Sequence, residues 1–204
     1  MRFTTFLVDD DPGVLKALSR LIRTAGYESR GYLSPQDFLR DHDPDVPGCA
    51  ILDLTMPDID GLELQQKLSE DSIERPIIFL TGNADIPASV RAMKAGAVDF
   101  LTKPVKREDL LTAIARAEER DAQVRQNRSE LQTIENKLAQ LTPREREVLG
   151  HVIDGKLNKQ IAAALGTVEK TVKVHRGRMM AKLGIRSVAE LVRLAGRAGI
   201  AAQH

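Results

Sequence analysis

Four short apolar runs in this chain each stop at a polar side chain that can do chemistry. Phe6-Leu7-Val8 runs into Asp9-Asp10-Asp11, and Cys49-Ala50-Ile51-Leu52 into Asp53. Ile77-Ile78-Phe79-Leu80 delivers Thr81, and Phe100-Leu101-Thr102 delivers Lys103-Pro104. Helical spacing fills the gaps, at Leu15, Leu18, Leu21 and Ile22, at Leu62, Leu64 and Leu68, at Ile86, Val90, Met93 and Ala97, and at Leu110, Leu111, Ile114 and Ala117. This alternation leaves room for five strand-helix units over residues 1–120, which predicts a doubly wound α/β domain with a five-stranded parallel sheet. The polar groups then meet in the crevice at the carboxyl edge of the sheet, where open α/β sheets bind ligands.

Carboxylates, one hydroxyl and one ammonium in one crevice suit Mg²⁺-assisted phosphoryl transfer. Asp9 and Asp10 at one strand end, with Asp53 from a neighbouring strand, make a hard-oxygen site of the kind Mg²⁺ takes. Asp53 is the candidate nucleophile, with the metal neutralising phosphoryl charge. Lys103 can pair with one phosphoryl oxygen and the Thr81 hydroxyl can hydrogen-bond another; such transfer is mostly positioning and electrostatics. Asp11 flanks the metal pair. Asp58-Ile59-Asp60-Gly61 lacks the other ligands and the distal Glu of a calcium loop, so it reads as a turn. Phosphatases of the haloacid-dehalogenase type carry their aspartyl nucleophile after the first strand with a second Asp two residues on. Here Asp53 follows a later strand, and Thr55 stands two residues on.

Val8-Asp9-Asp10-Asp11, Leu52-Asp53-Leu54-Thr55-Met56-Pro57-Asp58, Leu80-Thr81-Gly82 and Lys94-Ala95-Gly96 through Lys103-Pro104 resemble, in order and spacing, the receiver domain of bacterial response regulators. The resemblance implies a flavodoxin-like fold and phosphorylation of Asp53 by a sensor histidine kinase. It implies Mg²⁺ held by Asp9, Asp10, Asp53 and the backbone carbonyl of Thr55. Thr81 would swing toward the phosphoryl group with Phe100 turning inward behind it, and Thr55 and Asn83 occupy positions that tune hydrolysis. No enzyme activity is expected beyond self-phosphorylation on Asp and slow autodephosphorylation.

The net charge of +1 hides an asymmetry: residues 1–118 carry −6, residues 119–140 cancel, and residues 141–204 carry +7. An acidic front and a basic back suggest two domains with different partners, the back one fitted to nucleic acid. Between them, residues 121–140 are rich in Gln, Arg, Glu and Asn with no Gly or Pro, and read as a helical linker continuing the last receiver helix. Val124, Leu131, Ile134, Leu138 and Leu141 form a thin apolar stripe, too short to establish a coiled coil. No stretch approaches the roughly 18 apolar residues of a membrane span. The single cysteine, Cys49, lies in an apolar run and fits a buried inert thiol in a reducing, cytoplasmic setting.

Residues 141–204 open with Thr142 placed as an N-cap and Pro143 at the first helical position. Short helices follow, divided near Asp154-Gly155, Leu165-Gly166 and Leu183-Gly184. Over Val168–Leu183 helical periodicity puts Val172, His175, Met179 and Leu183 on one face. Lys170, Lys173, Val174 and Gly177 fall opposite, with Thr171 and Arg178 on the flank. An apolar back and a small, basic front suit a helix in the major groove. Gly177 costs about 1 kcal/mol in a helix interior but lets the backbone approach DNA. His42, His151, His175 and His204 lack metal-ligand spacing.

Leu141-Thr142-Pro143-Arg144-Glu145-Arg146-Glu147-Val148-Leu149, Asn158-Lys159-Gln160-Ile161-Ala162 and Lys170 through Arg176 resemble the LuxR-type helix-turn-helix of the FixJ/NarL class. That implies base-facing roles at Lys173, Val174 and Gly177, with Lys170, Thr171, Arg176 and Arg178 contributing to the DNA surface. Val168 stands where a Ser usually caps the recognition helix, so Thr167 is expected to cap instead. The expected whole is a phosphorylation-dependent transcription factor that binds promoter DNA. Its output surface is expected around Val90–Lys94 and Ala97–Leu101. Dimerisation there would switch it, or release of the basic module from the acidic receiver. RNA polymerase is a further candidate partner.

Overall fold

Three of the four apolar runs become strands buried throughout, and the fourth, Phe100-Leu101-Thr102, lies partly exposed at the sheet edge. The computed structural model describes residues 2–71, 73–82 and 86–200, so Asn83 and His204 lie outside the described residues. Strands β1 (Thr4–Val8), β2 (Glu28–Tyr32), β3 (Gly48–Asp53), β4 (Ile77–Thr81) and β5 (Asp99–Thr102) form one parallel sheet in the order β2-β1-β3-β4-β5. Alternate residues feed opposite layers. Phe6, Val8, Ala50, Leu52 and Phe79 point into one cluster with Phe38, Leu64, Leu68, Ala88 and Ala92. Leu7, Cys49, Ile51, Ile78 and Leu80 point into the other with Leu15, Leu18, Ile22, Leu110, Ile114 and Ala117.

The helices of the first layer are α2 (Pro35–Asp41), α3 (Gly61–Glu70) and α4 (Ile86–Lys94); those of the second are α1 (Pro12–Thr24) and the start of α5 (Arg107–Ala139). Each fully buried Phe, Leu or Ile contributes about 1.5–3 kcal/mol, so the layers outweigh any single cap or surface ion pair. Burial also pushes the Cys49 thiol up, as expected of an inert core cysteine.

The chain divides into two compact units, Met1–Arg125 and Gln126–His204. The second contains α6 (Pro143–Ile153), α7 (Asn158–Ala164), α8 (Glu169–Leu183) and α9 (Val188–Arg197). Leu141, Val148, Leu149, Val152, Ile161, Val172, Met179, Leu183 and Leu191 form its core. Thr142 caps α6 with a reciprocal bond to Glu145, Pro143 takes the first helical position, and Gly155, Gly166 and Gly184 turn the chain at positive φ. The expected cap at Thr167 is corrected: α8 starts at Glu169 with Val168 as N-cap and no side-chain cap bond. α5 runs unbroken for 33 residues. Its thin stripe is buried at Ile134, while Leu131 is 38% exposed. Among the described residues, no helix is long and apolar enough to cross a membrane.

Candidate functional site

Parallel pairing with matched register brings the run ends together. β1 and β3 pair Val8 with Leu52, so Asp9 and Asp53 end neighbouring strands; β4 and β5 pair Thr81 with Thr102. Asp9, Asp53 and Thr81 are buried, at 2%, 7% and 2% exposure. Asp10 is exposed at the rim. Lys103 reaches in from beyond β5, its Nζ 2.6 Å from Asp9 Oδ2 and 3.1 Å from Asp53 Oδ1. Its backbone N–H donates to the Thr81 carbonyl at 2.7 Å, which fixes the lysine's entry point. The Lys103–Pro104 peptide is cis.

One ammonium cannot neutralise three carboxylates. Burial pushes the Asp53 carboxyl up; Lys103 pulls it down, and the neighbouring Asp9 charge adds to the rise. Burial alone would lower Lys103, but its hydrogen bonds to Asp9 and Asp53 outweigh that and hold it above the ordinary lysine value. Counting Asp9, Asp10 and Asp53 against Lys103, the crevice keeps a formal deficit of two positive charges. Asp9, Asp10 and Asp53 each offer one oxygen, and these all lie within 4.8 Å of one another. Hard oxygens, close spacing and a double negative charge fit a divalent cation of the Mg²⁺ class. Thr55, whose carbonyl is the fourth expected ligand, is exposed just past β3.

Local chemistry holds this edge in place. Asp11 is the N-cap of α1, its Oδ1 accepting from Gly13 N–H at 2.7 Å, and so is occupied beside the carboxylate cluster. Asp60 caps α3 in a reciprocal pair with Glu63, which makes Asp58–Gly61 a turn, with Asp58 itself at φ 66°. Gly61 is required there: a Cβ would sit 2.4 Å from the Asp53 carbonyl oxygen and 3.0 Å from the Phe79 ring. The half-buried Phe100 ring packs 6.2 Å from that of Phe79. On α4, Ile86, Val90 and Met93 are exposed while Ala92 is fully buried. Of the expected surface strand, Ala97 is buried and precedes β5.

In the second unit, Val172, Met179 and Leu183 are fully buried and His175 is half-buried. Lys170, Lys173, Val174, Gly177 and Arg178 are exposed, and Thr171 and Arg176 half-buried. A side chain at Gly177 would meet open space. Lys173 pairs with Glu169 at 3.2 Å along the helix, and Arg176 donates to Asn158 Oδ1 at 3.0 Å, tying α8 to α7. The Glu145–Lys182 pair, given no role by the sequence reading, joins α6 to α8 at 2.6 Å. The Lys182 hydrogen bond holds the Glu145 carboxyl down to about 2. The capping-box spacing Thr142–Glu145 was the available signal for Glu145; nothing in the sequence points to Lys182.

Comparison with known proteins matches residues 5–115 to the response regulator receiver domain family and residues 139–195 to the bacterial regulatory proteins of the luxR family. The chain is 42% identical to Nodulation protein W of Bradyrhizobium diazoefficiens, over 98% of this chain and 88% of that one. It is 39% identical to the transcriptional regulatory protein FixJ of Rhizobium meliloti, over 95% of each. Among solved structures, the response regulator StyR superposes with a TM-score of 0.82 at 44% identity, covering 97% of this chain and 100% of that one.

Proposed function

The chain belongs to the response regulators that join a receiver domain to a LuxR-type DNA-binding domain, and from that premise we propose that Asp53 accepts a phosphoryl group from a sensor histidine kinase and thereby controls promoter binding. One observation carries this reading: Asp9, Asp10, Asp53, Thr81 and Lys103 gather at one sheet edge, with Lys103 bridging Asp9 and Asp53. Asp9, Asp10, Asp53 and the Thr55 carbonyl would hold Mg²⁺, which when bound supplies positive charge against phosphoryl oxygens. An Asp53 oxygen attacks phosphorus. The phosphorus–nitrogen bond to the donor imidazole breaks, and its electron pair stays on that nitrogen. Lys103 faces the added oxygen charge, and the Thr81 hydroxyl donates to a phosphoryl oxygen.

The acyl phosphate shifts a pre-existing equilibrium between receiver conformations through Thr81 and Phe100. Exposed Ile86, Val90 and Met93 on α4 favour dimerisation as the consequence, because a two-fold operator needs two readers. The −6/+7 charge split favours a second reading, release of the basic module from the acidic receiver. On DNA, Lys173, Val174 and Gly177 face bases, and Lys170, Thr171, Arg176 and Arg178 hold the flanks. The chain acts in the cytoplasm, meets RNA polymerase at the promoter, and catalyses nothing beyond its own phosphorylation and slow dephosphorylation.

The test is intact-mass and size analysis after acetyl phosphate and Mg²⁺. A gain of one phosphoryl group in wild type but not in Asp53→Asn, with a concentration-dependent rise in mass, supports acceptor and dimer together. A labelled monomer that becomes more extended supports release. An equal gain in the Asn variant removes Asp53 as the acceptor.

A further inference from the structure

The inner face of α5 meets the sheet at Leu110, Ala113, Ile114 and Ala117, all fully buried. The same helical spacing, carried on by one and two turns, reaches Asp121 and Arg125. Asp121 is 5% exposed, and its Oδ2 accepts from Arg125 Nε at 2.8 Å. The other two nitrogens of Arg125 reach the segment between α2 and β3. Nη1 donates to the Asp45 carbonyl at 2.8 Å and Nη2 to the Pro44 carbonyl at 3.2 Å.

The flanking carbonyls belong to a second arginine. Arg75, shortly before β4, donates from Nη2 to the carbonyls of Asp43 at 2.9 Å and Val46 at 3.1 Å. Two guanidinium groups, one on α5 and one on the approach to β4, thus hold the four consecutive carbonyls of residues 43–46. Arg75 is itself locked in place, 7% exposed, stacked 4.6 Å over the Phe6 ring and donating from Nε to His42 Nε2 at 2.5 Å. Burial lowers its guanidinium to about 10, opposed by Asp121, so it stays charged at neutral pH. β4 links this rim to the phosphoacceptor crevice, since Thr81 is its last residue.

Beyond Arg125 the first unit ends, while α5 continues to Ala139. Residues 126–133 are mostly polar and held by pairs along the helix such as Gln126–Glu130 and Thr133–Ser129. A helix polar on all sides depends on such pairs and on whatever fixes its ends. We propose that Asp121 and Arg125 are positioning residues: they seat the root of the linker helix on the 43–46 carbonyls, and phosphorylation acts on the output through that seat. The second half of this statement rests on the phosphoacceptor reading above; the first half does not.

The experiment uses the full chain as wild type, Arg125→Ala and Arg125→Lys. Lysine keeps the ion pair with Asp121 but has no planar fork for two carbonyls. Amide exchange over residues 119–133 should rise about tenfold in both variants, while acetyl phosphate labels Asp53 at the wild-type rate. Affinity for a duplex selected by the phosphorylated wild type should depend on phosphorylation by a factor of about 5–150 in wild type. It should fall to within about twofold of no dependence in both variants. Unchanged exchange in Arg125→Ala, full recovery in Arg125→Lys, or a wild-type phosphorylation dependence in Arg125→Ala each overturns the proposal. Failure of the wild type to take label sinks the phosphoacceptor reading instead, and the seat is then judged on exchange alone.

Discussion

Lowering the pH from 7 to 4 should weaken the first unit through one side chain, His42. Its ring lies 4.9 Å from that of Phe38 and 5.9 Å from that of Phe6, and its Nε2 accepts from Arg75. Only a neutral ring accepts there; protonation turns the acceptor into a donor and faces Arg75 with a like charge. Burial first, then the Arg75 charge, pushes His42 from 6.5 down to about 4, against a weaker pull from Asp43. Between those values the unfolded chain binds the proton and the folded chain does not, so stability falls as pH falls through this window. Nothing is lost above pH 6.5, and the loss is complete near pH 4. At about 1.36 kcal/mol per pH unit the ceiling is roughly 3 kcal/mol. Solvent screening of a half-buried ring brings the expected value to about 1–2 kcal/mol, a sizeable part of a domain's 5–15 or so. Both tyrosines, Tyr27 and Tyr32, lie in the first unit and the chain has no tryptophan, so tyrosine fluorescence in urea follows that unit alone. His42→Gln should be less stable than wild type at pH 7, and the gap should shrink by about 1–2 kcal/mol by pH 4, other titrations cancelling in the difference. A gap constant to within about 0.3 kcal/mol would refute the argument, as would an NMR titration of His42 near its ordinary value.

Two further outcomes follow from contacts described above. Gly61→Ala should cost about 1–3 kcal/mol and slow acetyl phosphate labelling, because the new Cβ meets the Asp53 carbonyl and a buried ring. Unchanged urea midpoint and labelling rate would show that the edge relaxes freely. Lys170→Ala, at an exposed flank position of α8, should reduce the salt slope of DNA binding by about 1 and move stability by less than about 0.5 kcal/mol; binding assays at several salt concentrations decide it.

The carboxylate crevice was legible because Asp9, Asp53 and Thr81 sit where buried strands stop, and a strand buried on both faces reads as an apolar run; Lys103 follows the partly exposed edge strand β5, which keeps an apolar run all the same. β2 has no such run. In Glu28-Ser29-Arg30-Gly31-Tyr32 only Ser29 is buried, since the strand lies at the sheet edge and pairs on one side. Its existence could be inferred from the space available, not from its pattern. α2 also escaped, being seven residues long with little room to show a period. The cap of α8 was misread for a different reason. A threonine beside a helix start satisfies the composition rule for a cap, but capping depends on which residue takes the extended backbone conformation before the first turn, and here that is Val168.

The arginine seat was beyond sequence reading altogether, and its invisibility is itself instructive. A motif is visible when neighbouring residues carry the chemistry. Here the guanidinium groups reach carbonyls 29 to 81 residues away, and a carbonyl has no residue identity to read. The two rims of the sheet therefore differ in kind. At the carboxyl rim, side chains meet side chains, with an excess of negative charge able to receive a cation and a phosphoryl group. At the amino rim, a buried arginine, Arg75, and a partly exposed one, Arg125, meet backbone carbonyls and hold one segment in place. On the proposed reading, that division puts phosphoryl chemistry at one end of β4 and attachment of the long helix at the other. A change at Thr81 then needs to travel the length of one strand, five residues, before it meets a group that also touches the anchoring segment. The strand is buried throughout, and close-packed interiors transmit strain. Substitutions in its buried middle, such as Phe79→Leu, belong with Arg125→Ala as disruptions of one linkage, and their effects on phosphorylation-dependent binding should be non-additive.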